Sequence, residues 1–498
     1  MRAITAGVLF IALGWFMAPA ASAQQTAGIS GVAKDSSGGV LPGVTVEAAS
    51  PALLEKVRSA ISDNEGRYTI IDIPPGTYTV TFTLTGFSSF RREGIELSSG
   101  FTASVDATMR IGALEESVTV SGAAPLVDTQ NVRKQLVASA ELLSALPTSS
   151  KQIYTLVTLT PGYTGVTDVG GQYAAEAGAF HGKRGTRVLF NGMGVENSSG
   201  NSSYQINAAT VDEMVLQTSG ISAEVNADGP VMNIVPKSGS NTWKVTISGL
   251  ATNDKLVSDN LTQELKDKGL LSTSKALYKF DIGTAWGGPL SKDKIWIFQS
   301  NRYNGSKTQW AGIFYNKIQG SSLPYVDDTS RPAYRKEWTV SPAATRLTMQ
   351  LSPRSKLNLY ADLQRACTCM AETVGGTLPE SVNGYNLWPT GGFMGTWSMP
   401  VNSKLLLEAG ASAFLFHFPA WTPPEVKALT NAANPYGPVS ILDNISKFRW
   451  NNNGGSTNEN DINYTDRFGQ RFSATYVTGA HALKFGVTND YGRNWNNT

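Results

Sequence analysis

The side chains that could do chemistry are few in this sequence and do not cluster. Cys367 and Cys369 are the only cysteines, and His181, His417 and His481 are the only histidines. A structural zinc site needs about four ligands, and no His-x-x-Glu motif of a zinc peptidase occurs. The two cysteines, one residue apart, favour a local disulfide or free thiols over a metal centre. We therefore predict that the chain is not an enzyme and carries neither cofactor nor metal.

The N-terminal stretch has the layout of a cleavable secretory signal. Arg2 precedes an apolar core at 4–18, and Ala21, Ser22 and Ala23 provide the small residues that signal peptidase requires. A membrane anchor is the alternative, but this core is shorter than the roughly 20 residues that span a bilayer. We expect residues 1–23 to be a signal peptide that is cleaved near Ala23.

Composition favours a secreted, mainly β protein with several domains. Roughly 475 residues remain after cleavage, more than one ordinary domain contains. The 41 basic and 39 acidic residues nearly balance, which argues against a nucleic-acid partner. Glycine is abundant at 49 residues, and Asn, Ser and Thr crowd between short stretches of alternating apolar and polar residues. This pattern is typical of strands joined by polar loops.

Residues 24–112 are predicted to form a small β-sandwich. In its clearest strand, Tyr78, Val80, Phe82 and Leu84 share one face and threonines occupy the other, a period of two. The segments GVAKD, GGVLPGVTVEA, DNEGRYTI and IPPGTYTVTF resemble the carboxypeptidase regulatory-like domain. The resemblance implies an accessory domain without catalytic function.

From 241 onward, single-residue alternation recurs at the length of strands that cross a bilayer with tilt. Nine strands are predicted, at 243–251, 278–287, 295–304, 343–351, 357–364, 392–399, 404–416, 466–477 and 483–488. Short connections (288–293, 352–355, 400–403, 478–480) alternate with long ones (252–275, 305–339, 365–391, 419–464). Outer-membrane barrels sort their turns and loops in this way. Trp243, Trp286, Trp296 and Trp397 lie near strand ends, where an aromatic girdle would place them.

The motifs between the sandwich and these strands resemble the plug of Oar-like TonB-dependent receptors. They are a predicted helix at 132–146; Leu156, Leu159, Pro161 and Gly162; Arg184, Gly185, Arg187, Asn191 and Gly192; Asn233, Ile234, Val235, Lys237, Ser238 and Gly239; and then WGGPLSKDKIWIF at 286–298. The resemblance implies a plug domain at 123–240, followed at 241–498 by the first nine or so strands of a 22-stranded antiparallel barrel. Because nine strands cannot close such a barrel, we expect a fragment or a truncated gene product.

The resemblance also implies residues with roles. Residues 113–122 correspond to the TonB box, the segment that pairs with a TonB-type energy-coupling protein, and the contact residues would be Glu116, Ser117, Val118, Thr119 and Val120. The alternative is a linker strand that closes the sandwich. Arg184 and Arg187 would pair with carboxylates of the barrel wall, or else be ordinary surface charges.

The function implied is that of an outer-membrane receptor. It would bind an extracellular ligand, such as a siderophore, an oligosaccharide or a peptide, and import it into the periplasm. A surface barrel for adhesion, export or signalling is the alternative. The aromatic stretch NGYNLWPTGGFMGTW at 383–397 is predicted to be a loop that stacks sugars or siderophores, or else anchors at the membrane interface.

Overall fold

The structure, a computed structural model, is mainly β. It describes residues 27–53, 56–97, 102–112, 117–121, 134–145, 157, 160–164, 179–183, 185–196, 204–221, 224–258, 260–270, 273–318, 325–369, 378–381, 384–402, 404–421, 441–445, 449–450, 463–478 and 481–495. The predicted signal peptide, Glu116 and Arg184 lie outside these residues. No helix among the described residues is long and apolar enough to span a bilayer.

The N-terminal residues form the predicted sandwich of two sheets. Its strands are β1 (Ala27–Asp35), β2 (Thr45–Ala49), β3 (Val57–Ile61), β4 (Arg67–Ile73), β5 (Gly76–Thr83), β6 (Ser89–Leu97), β7 (Thr102–Ser104), β8 (Ala107–Met109) and β9 (Ser117–Ser121). One sheet has the order β4-β1-β7, with β8 also on β1, and the other the order β3-β2-β5-β6-β9. Tyr78, Val80 and Phe82 are buried between the sheets, which confirms the alternation predicted for this strand.

The described residues between 134 and 240 form a second unit, here called the middle domain. Its elements are β10 (Lys134–Ser139), the helix Ala140–Ala145, β11 (Tyr163–Thr164), β12 (Ala179–Phe180), β13 (Arg187–Phe190), β14 (Met193–Gly194), the 3-10 turn Ala208–Thr210, β15 (Val211–Ser219) and β16 (Val231–Pro236). Five strands make one sheet in the order β10-β15-β16-β13-β14. The helix predicted at 132–146 is therefore wrong in its first half, where β10 pairs with β15.

Among the described residues from 244 onward, nine long antiparallel strands form one continuous sheet, here called the barrel sheet. They are β17 (Lys244–Asn253), β18 (Lys275–Ser291), β19 (Ile295–Asn316), β20 (Asp327–Ser352), β21 (Ser355–Thr368), β22 (Gly384–Pro400), β23 (Leu405–Phe416), β27 (Tyr464–Thr478) and β28 (His481–Trp495). The short β24 (Ala420–Trp421) adds to β22, and β25 (Ile441–Leu442) pairs with β26 (Arg449–Trp450). The helix Gln263–Asp267 and the 3-10 turns Asp254–Leu256 and Pro379–Ser381 lie in the long connections. Each long strand pairs with its neighbour in sequence, so the nine predicted strands are confirmed, and over the described residues the sheet stays open.

The two faces of the barrel sheet differ in polarity. On β21 the side chains of Asn358, Tyr360 and Asp362 are buried, whereas those of Leu359 and Ala361 are exposed. Exposed apolar side chains continue on the same outer face in neighbouring strands: Val245, Ile247, Ile282, Phe393, Phe472, Phe485 and Val487. The buried polar side chains lie on the inner face, against the middle domain. The sheet is thus apolar outside and polar inside, the reverse of an ordinary soluble protein.

Three predictions about the long connections and their aromatic residues are wrong. The connection predicted at 305–339 consists mostly of β19 and β20, which remain paired as far as Asn316 and Asp327. Both faces of these outer strand segments carry polar residues, so the alternation that reveals a strand disappears. The stretch predicted as an aromatic loop at 383–397 lies almost wholly in β22. Trp296 is buried rather than part of an outer girdle.

Candidate functional site

The middle domain is joined to the barrel sheet by a network of four charged side chains. Arg187 of β13 donates to Glu196 (Nη1 to Oε2, 2.9 Å) and to Asp490 of β28 (Nη2 to Oδ2, 3.1 Å). Arg467 of β27 approaches the same carboxylates, at 3.5 Å from Glu196 and 2.8 Å from Asp490. Each carboxylate therefore lies between two guanidinium groups. The network links two strands of the barrel wall to two residues of the middle domain.

Because it is buried, the Glu196 carboxylate depends more on its ionic partners than the other members of this network do. Its side chain is only 4% exposed, and it also accepts a hydrogen bond from the backbone N–H of Val188. Desolvation raises the pKa of the Glu196 carboxyl above its ordinary value, although Arg187, the Val188 amide and Arg467 oppose the shift. Two positive and two negative charges balance. Removing any one of them leaves a poorly solvated charge behind.

Gly194 makes room for this network and was missed in the sequence. A Cβ at this position would lie 2.6 Å from Nη2 of Arg187 and 3.2 Å from Cζ of Arg467. A side chain would thus displace the guanidinium groups from their carboxylates. The only sequence signal for Gly194 is that a second glycine follows shortly after Asn191-Gly192. Arg467, against which Gly194 packs, is distant in the chain.

Asn191 and Gly192 form the tight turn between β13 and β14. Both have a left-handed backbone, with φ of 51° and 77°, and the flanking Phe190 and Met193 are paired. A two-residue hairpin of this kind favours Asn-Gly because asparagine and glycine tolerate positive φ. The Asn191 side chain is buried and donates from Nδ2 to Oγ1 of Thr396 on β22, at 3.2 Å. The turn therefore also bonds the middle domain to the barrel sheet.

The other residues of the sequence motif lie apart from this contact. Gly185 has φ of 115° and lies beside Asp228, whose Oδ1 would be 3.3 Å from an added Cβ. Arg184 lies outside the described residues. The structure thus brings Arg187, Asn191 and Gly192 to the barrel sheet and places Gly185 beside Asp228 within the middle domain.

A second polar contact centres on Asp362 of β21, which is buried. The Tyr204 hydroxyl donates to Oδ2 of Asp362 at 2.6 Å and lies 2.7 Å from the hydroxyl of Tyr360. Ser341 and Gln364 also donate to Asp362, each at 2.8 Å. A buried carboxylate with three donors is well satisfied. In the sequence, Tyr360 and Asp362 fall within the strand predicted at 357–364, and nothing nearby in the chain indicates Tyr204 as their partner.

Apolar side chains fill the space between these polar contacts. The ring centroids of Phe190 and Tyr360 are 4.8 Å apart, and those of Tyr204 and Phe414 are 5.9 Å apart. Met394 of β22 belongs to the same cluster. Residues of both units thus share one hydrophobic core, and burial of this apolar surface favours docking of the middle domain.

The segment that connects the middle domain to β17 is held against the turn between β18 and β19. Asn241 donates to Asp293 (Nδ2 to Oδ1, 2.7 Å) and accepts from the backbone N–H of Asp293 at 3.1 Å. The indole of Trp296 donates to Oδ1 of Asn241 at 2.9 Å, which explains why this tryptophan faces inward. The segment that follows Gly239 and the turn around Asp293 therefore meet in space.

Gly239 allows this contact, and its replacement by alanine is expected to weaken it. A Cβ there would lie 2.5 Å from the carbonyl oxygen of Ile297 and 2.9 Å from Cβ of Trp296. We expect the Gly239→Ala variant to lose about 1–3 kcal/mol of unfolding free energy, measured by thermal unfolding of the purified protein in detergent. Gly249→Ala is the matched control, since its Cβ would have only Ile282 as a neighbour, at 3.7 Å. Equal losses in both variants would contradict this account.

The segment predicted to contact the coupling protein lies on the sandwich. Ser117–Ser121 form β9, whose backbone pairs in parallel with Ser89–Glu93 of β6. This arrangement corresponds to the alternative of a strand that closes the sandwich. Whether the segment also has the coupling role stays a prediction.

Cys367 and Cys369 form a disulfide at the end of β21. Among the described residues, no group of three or more His, Cys, Asp and Glu side chains is placed to hold a metal ion. The candidate site is the contact between the middle domain and the barrel sheet.

Sequence relationships agree with this architecture. A family profile described as the carboxypeptidase regulatory-like domain matches residues 28–110, the range of β1–β8. Residues 28–110 form a carboxypeptidase regulatory-like domain. The sandwich is therefore called the regulatory-like domain below.

The chain is also similar to a transporter. It is 26% identical over 320 residues to the TonB-dependent transporter Oar of Myxococcus xanthus, a match that covers 60% of this chain and 29% of that protein. The chain thus spans less than a third of the length of this relative. The proteins matched here and below are transporters and receptors rather than enzymes.

Two solved structures of receptors resemble the fold at low sequence identity. The ferric enterobactin receptor PfeA of Pseudomonas aeruginosa has 13% identity and a TM-score of 0.46, over 72% of this chain and 48% of that one. The siderophore receptor PirA of Acinetobacter baumannii has 14% identity and a TM-score of 0.42, over 72% and 47%. The chain spans about half the length of these receptors.

Proposed function

We propose that this chain is part of an outer-membrane, TonB-dependent transporter that binds an extracellular ligand and imports it into the periplasm. The observation that carries the proposal is the packing of the middle domain against the polar inner face of the barrel sheet, held by the network of Arg187, Glu196, Arg467 and Asp490. In this role the middle domain is the plug of the barrel.

The apolar outer face supports a place in the membrane. Ile247 of β17 and Phe485 of β28, for example, are 79% and 67% exposed. Water disfavours such a surface, whereas lipid does not. The strands are long, from 10 residues in β17 to 26 in β20, enough to cross the membrane and extend beyond it.

The contacts between plug and barrel suit a domain that must both seal and move. An apolar cluster alone would bury surface that is costly to expose to water. The charged and hydrogen-bonded groups bind water again when the plug separates from the barrel. Their net contribution to the free energy of docking is therefore smaller than their number implies. A pull on the plug from the periplasmic side would therefore open a polar path along the barrel wall.

The ligand is proposed only as a class. PfeA and PirA are named as receptors for ferric enterobactin and for siderophores, and the relative Oar is named as a transporter. A bulky extracellular molecule of the siderophore, oligosaccharide or peptide class agrees with these names. Growth of a gene-deletion strain on single iron or carbon sources would identify which of them is taken up.

Deleting 117–121 from the full-length protein is expected to abolish uptake while leaving ligand binding intact. The deletion removes Ser117, Val118, Thr119 and Val120 of the proposed coupling segment but no residue of the plug or barrel. Uptake and binding of the ligand found by the growth assay are measured on whole cells, with equal surface amounts of both proteins. Uptake that survives the deletion would contradict the coupling role. A gene-deletion defect in attachment, export or signalling alone, without any uptake defect, would favour the alternative surface function.

A further inference from the structure

The fifth strand of one sheet in the regulatory-like domain comes from outside the matched domain. Residues of β9 pair in parallel register with β6: Ser117 with Ser89, Thr119 with Arg91, and Ser121 with Glu93. The other neighbours in this sheet pair in antiparallel fashion. Parallel pairing is slightly less stable per residue than antiparallel pairing. A short parallel edge strand is thus suited to leave its sheet.

The chain before β9 is fixed to the same domain. The backbone N–H of Ser88 donates to the carbonyl of Arg110 at 2.8 Å, and that of Gly112 donates to the carbonyl of Gly86 at 3.3 Å. Only the four residues 113–116 separate Gly112 from Ser117. Such a short tether gives β9 a high effective concentration at the β6 edge. Any external strand must compete with this intramolecular partner.

Pairing with β9 covers an edge of β6 that would otherwise be open. Without β9, the backbone of Ser89–Glu93 would be an unpaired sheet edge, because β5 occupies the opposite side of β6. Open edges readily pair with other strands. The edge and the segment therefore satisfy one another's backbone groups in the structure.

We propose that the regulatory-like domain holds the coupling segment in reserve on β6, and that β9 must leave β6 when the energy-coupling protein engages it. This inference rests on the proposed function, because it assumes that 117–121 is the coupling segment. The coupling protein adds its own strand to the segment. While β9 is bonded to β6, a pull on it is borne by the regulatory-like domain rather than by the plug. Exchange of β9 from β6 to the coupling protein transfers the pull to the plug.

A disulfide between β6 and β9 tests the exchange. Arg91→Cys and Thr119→Cys replace residues that are register partners, and paired residues of adjacent strands lie about 5 Å apart, within disulfide range. Cys367→Ser and Cys369→Ser in the same full-length protein prevent exchange with the native disulfide. Binding of the purified periplasmic domain of the host's TonB-type protein is measured for the oxidised and the reduced protein. We expect binding at least tenfold weaker in the oxidised form, and no redox effect in either single-cysteine variant.

Hydrogen exchange on the same samples provides a second measurement. We expect amides of 89–93 to be protected in the free protein and to lose protection in the complex, because β9 has left them. Equal binding by the oxidised and reduced forms, with protection at 89–93 retained in the complex, would overturn the inference and show that the partner adds to the free edge of β9. If the unmodified protein does not bind the periplasmic domain at all, the coupling role in the proposed function fails, and the inference fails with it.

Discussion

Replacing Arg187 by methionine is expected to lower the free energy of unfolding by about 3–5 kcal/mol, the usual effect of breaking a buried ion pair. The substitution leaves the Glu196 carboxylate, which is 4% exposed, with the more distant Arg467 as its remaining cationic partner. It also removes one of the two cations that contact Asp490. Because the long methionine side chain keeps most of the packing, the loss of unfolding free energy measures the effect of removing the charge. Thermal and denaturant unfolding of the purified full-length protein in detergent measure it.

Two further variants separate the network from ordinary charge effects. Glu196→Gln removes the buried negative charge and keeps an acceptor for the Val188 amide, so we expect a smaller loss than for Arg187→Met. Lys183→Met breaks an exposed pair with Asp228, whose side chains are 61% and 76% exposed, and should change stability by less than about 1 kcal/mol. Equal effects of Arg187→Met and Lys183→Met would show that the network does not hold the middle domain.

Replacing Phe190 by alanine is expected to cost about 3–5 kcal/mol, because it leaves a cavity in the core shared by both units. Phe190 is fully buried, and its ring packs on Tyr360 of the barrel sheet. Phe190→Leu keeps most of the volume and should cost clearly less. The change also loosens docking, so limited proteolysis should cut the middle domain of the Phe190→Ala variant faster. Unfolding in detergent and the rate of cleavage are the two measurements.

Phe485→Ala is the matched control for this prediction. Phe485 belongs to β28 and is 67% exposed on the outer face, where detergent or lipid surrounds it. Its removal leaves no cavity, and we expect little change in either measurement. If Phe485→Ala were as destabilising as Phe190→Ala, the assignment of inner and outer faces would be wrong.

The strands were predictable where the two faces of the sheet meet different surroundings. On β21, Leu359 and Asp362 lie on opposite faces, and the alternation of apolar and polar residues in the sequence shows this contrast directly. Prediction failed along the outer parts of β19 and β20, where residues such as Lys307 and Thr308 are polar on both faces. It also failed at β10, where Leu136 fits the helical spacing of Leu142, Leu143 and Leu146 but pairs with Leu216 of β15. Pairing with a distant strand is not visible in a short window of sequence.

The candidate site was predictable in its motifs but not in its contacts. Asn191-Gly192 has the residue types that a tight hairpin requires, and Arg187 was expected either to pair with a carboxylate of the barrel wall or to be an ordinary surface charge. Its partners Glu196 and Asp490 could not be chosen, because one is nine residues away and the other 303. In the sequence, the residue types of Gly194 and Asn241 do not indicate a functional role. Their importance follows only from the guanidinium groups and the turn that pack against them.

The most direct test of the central claim, that the middle domain plugs a barrel to which this sheet contributes nine strands, is electrical. The full-length protein and a variant lacking 134–236 are purified in detergent, checked for equal strand content by circular dichroism, and inserted into planar lipid bilayers. We expect the intact protein to insert without conducting and the deletion variant to give large, stable conductance steps, because its polar inner face then lines an open path. A deletion variant that is folded and inserted but conducts no more than the intact protein would contradict the account.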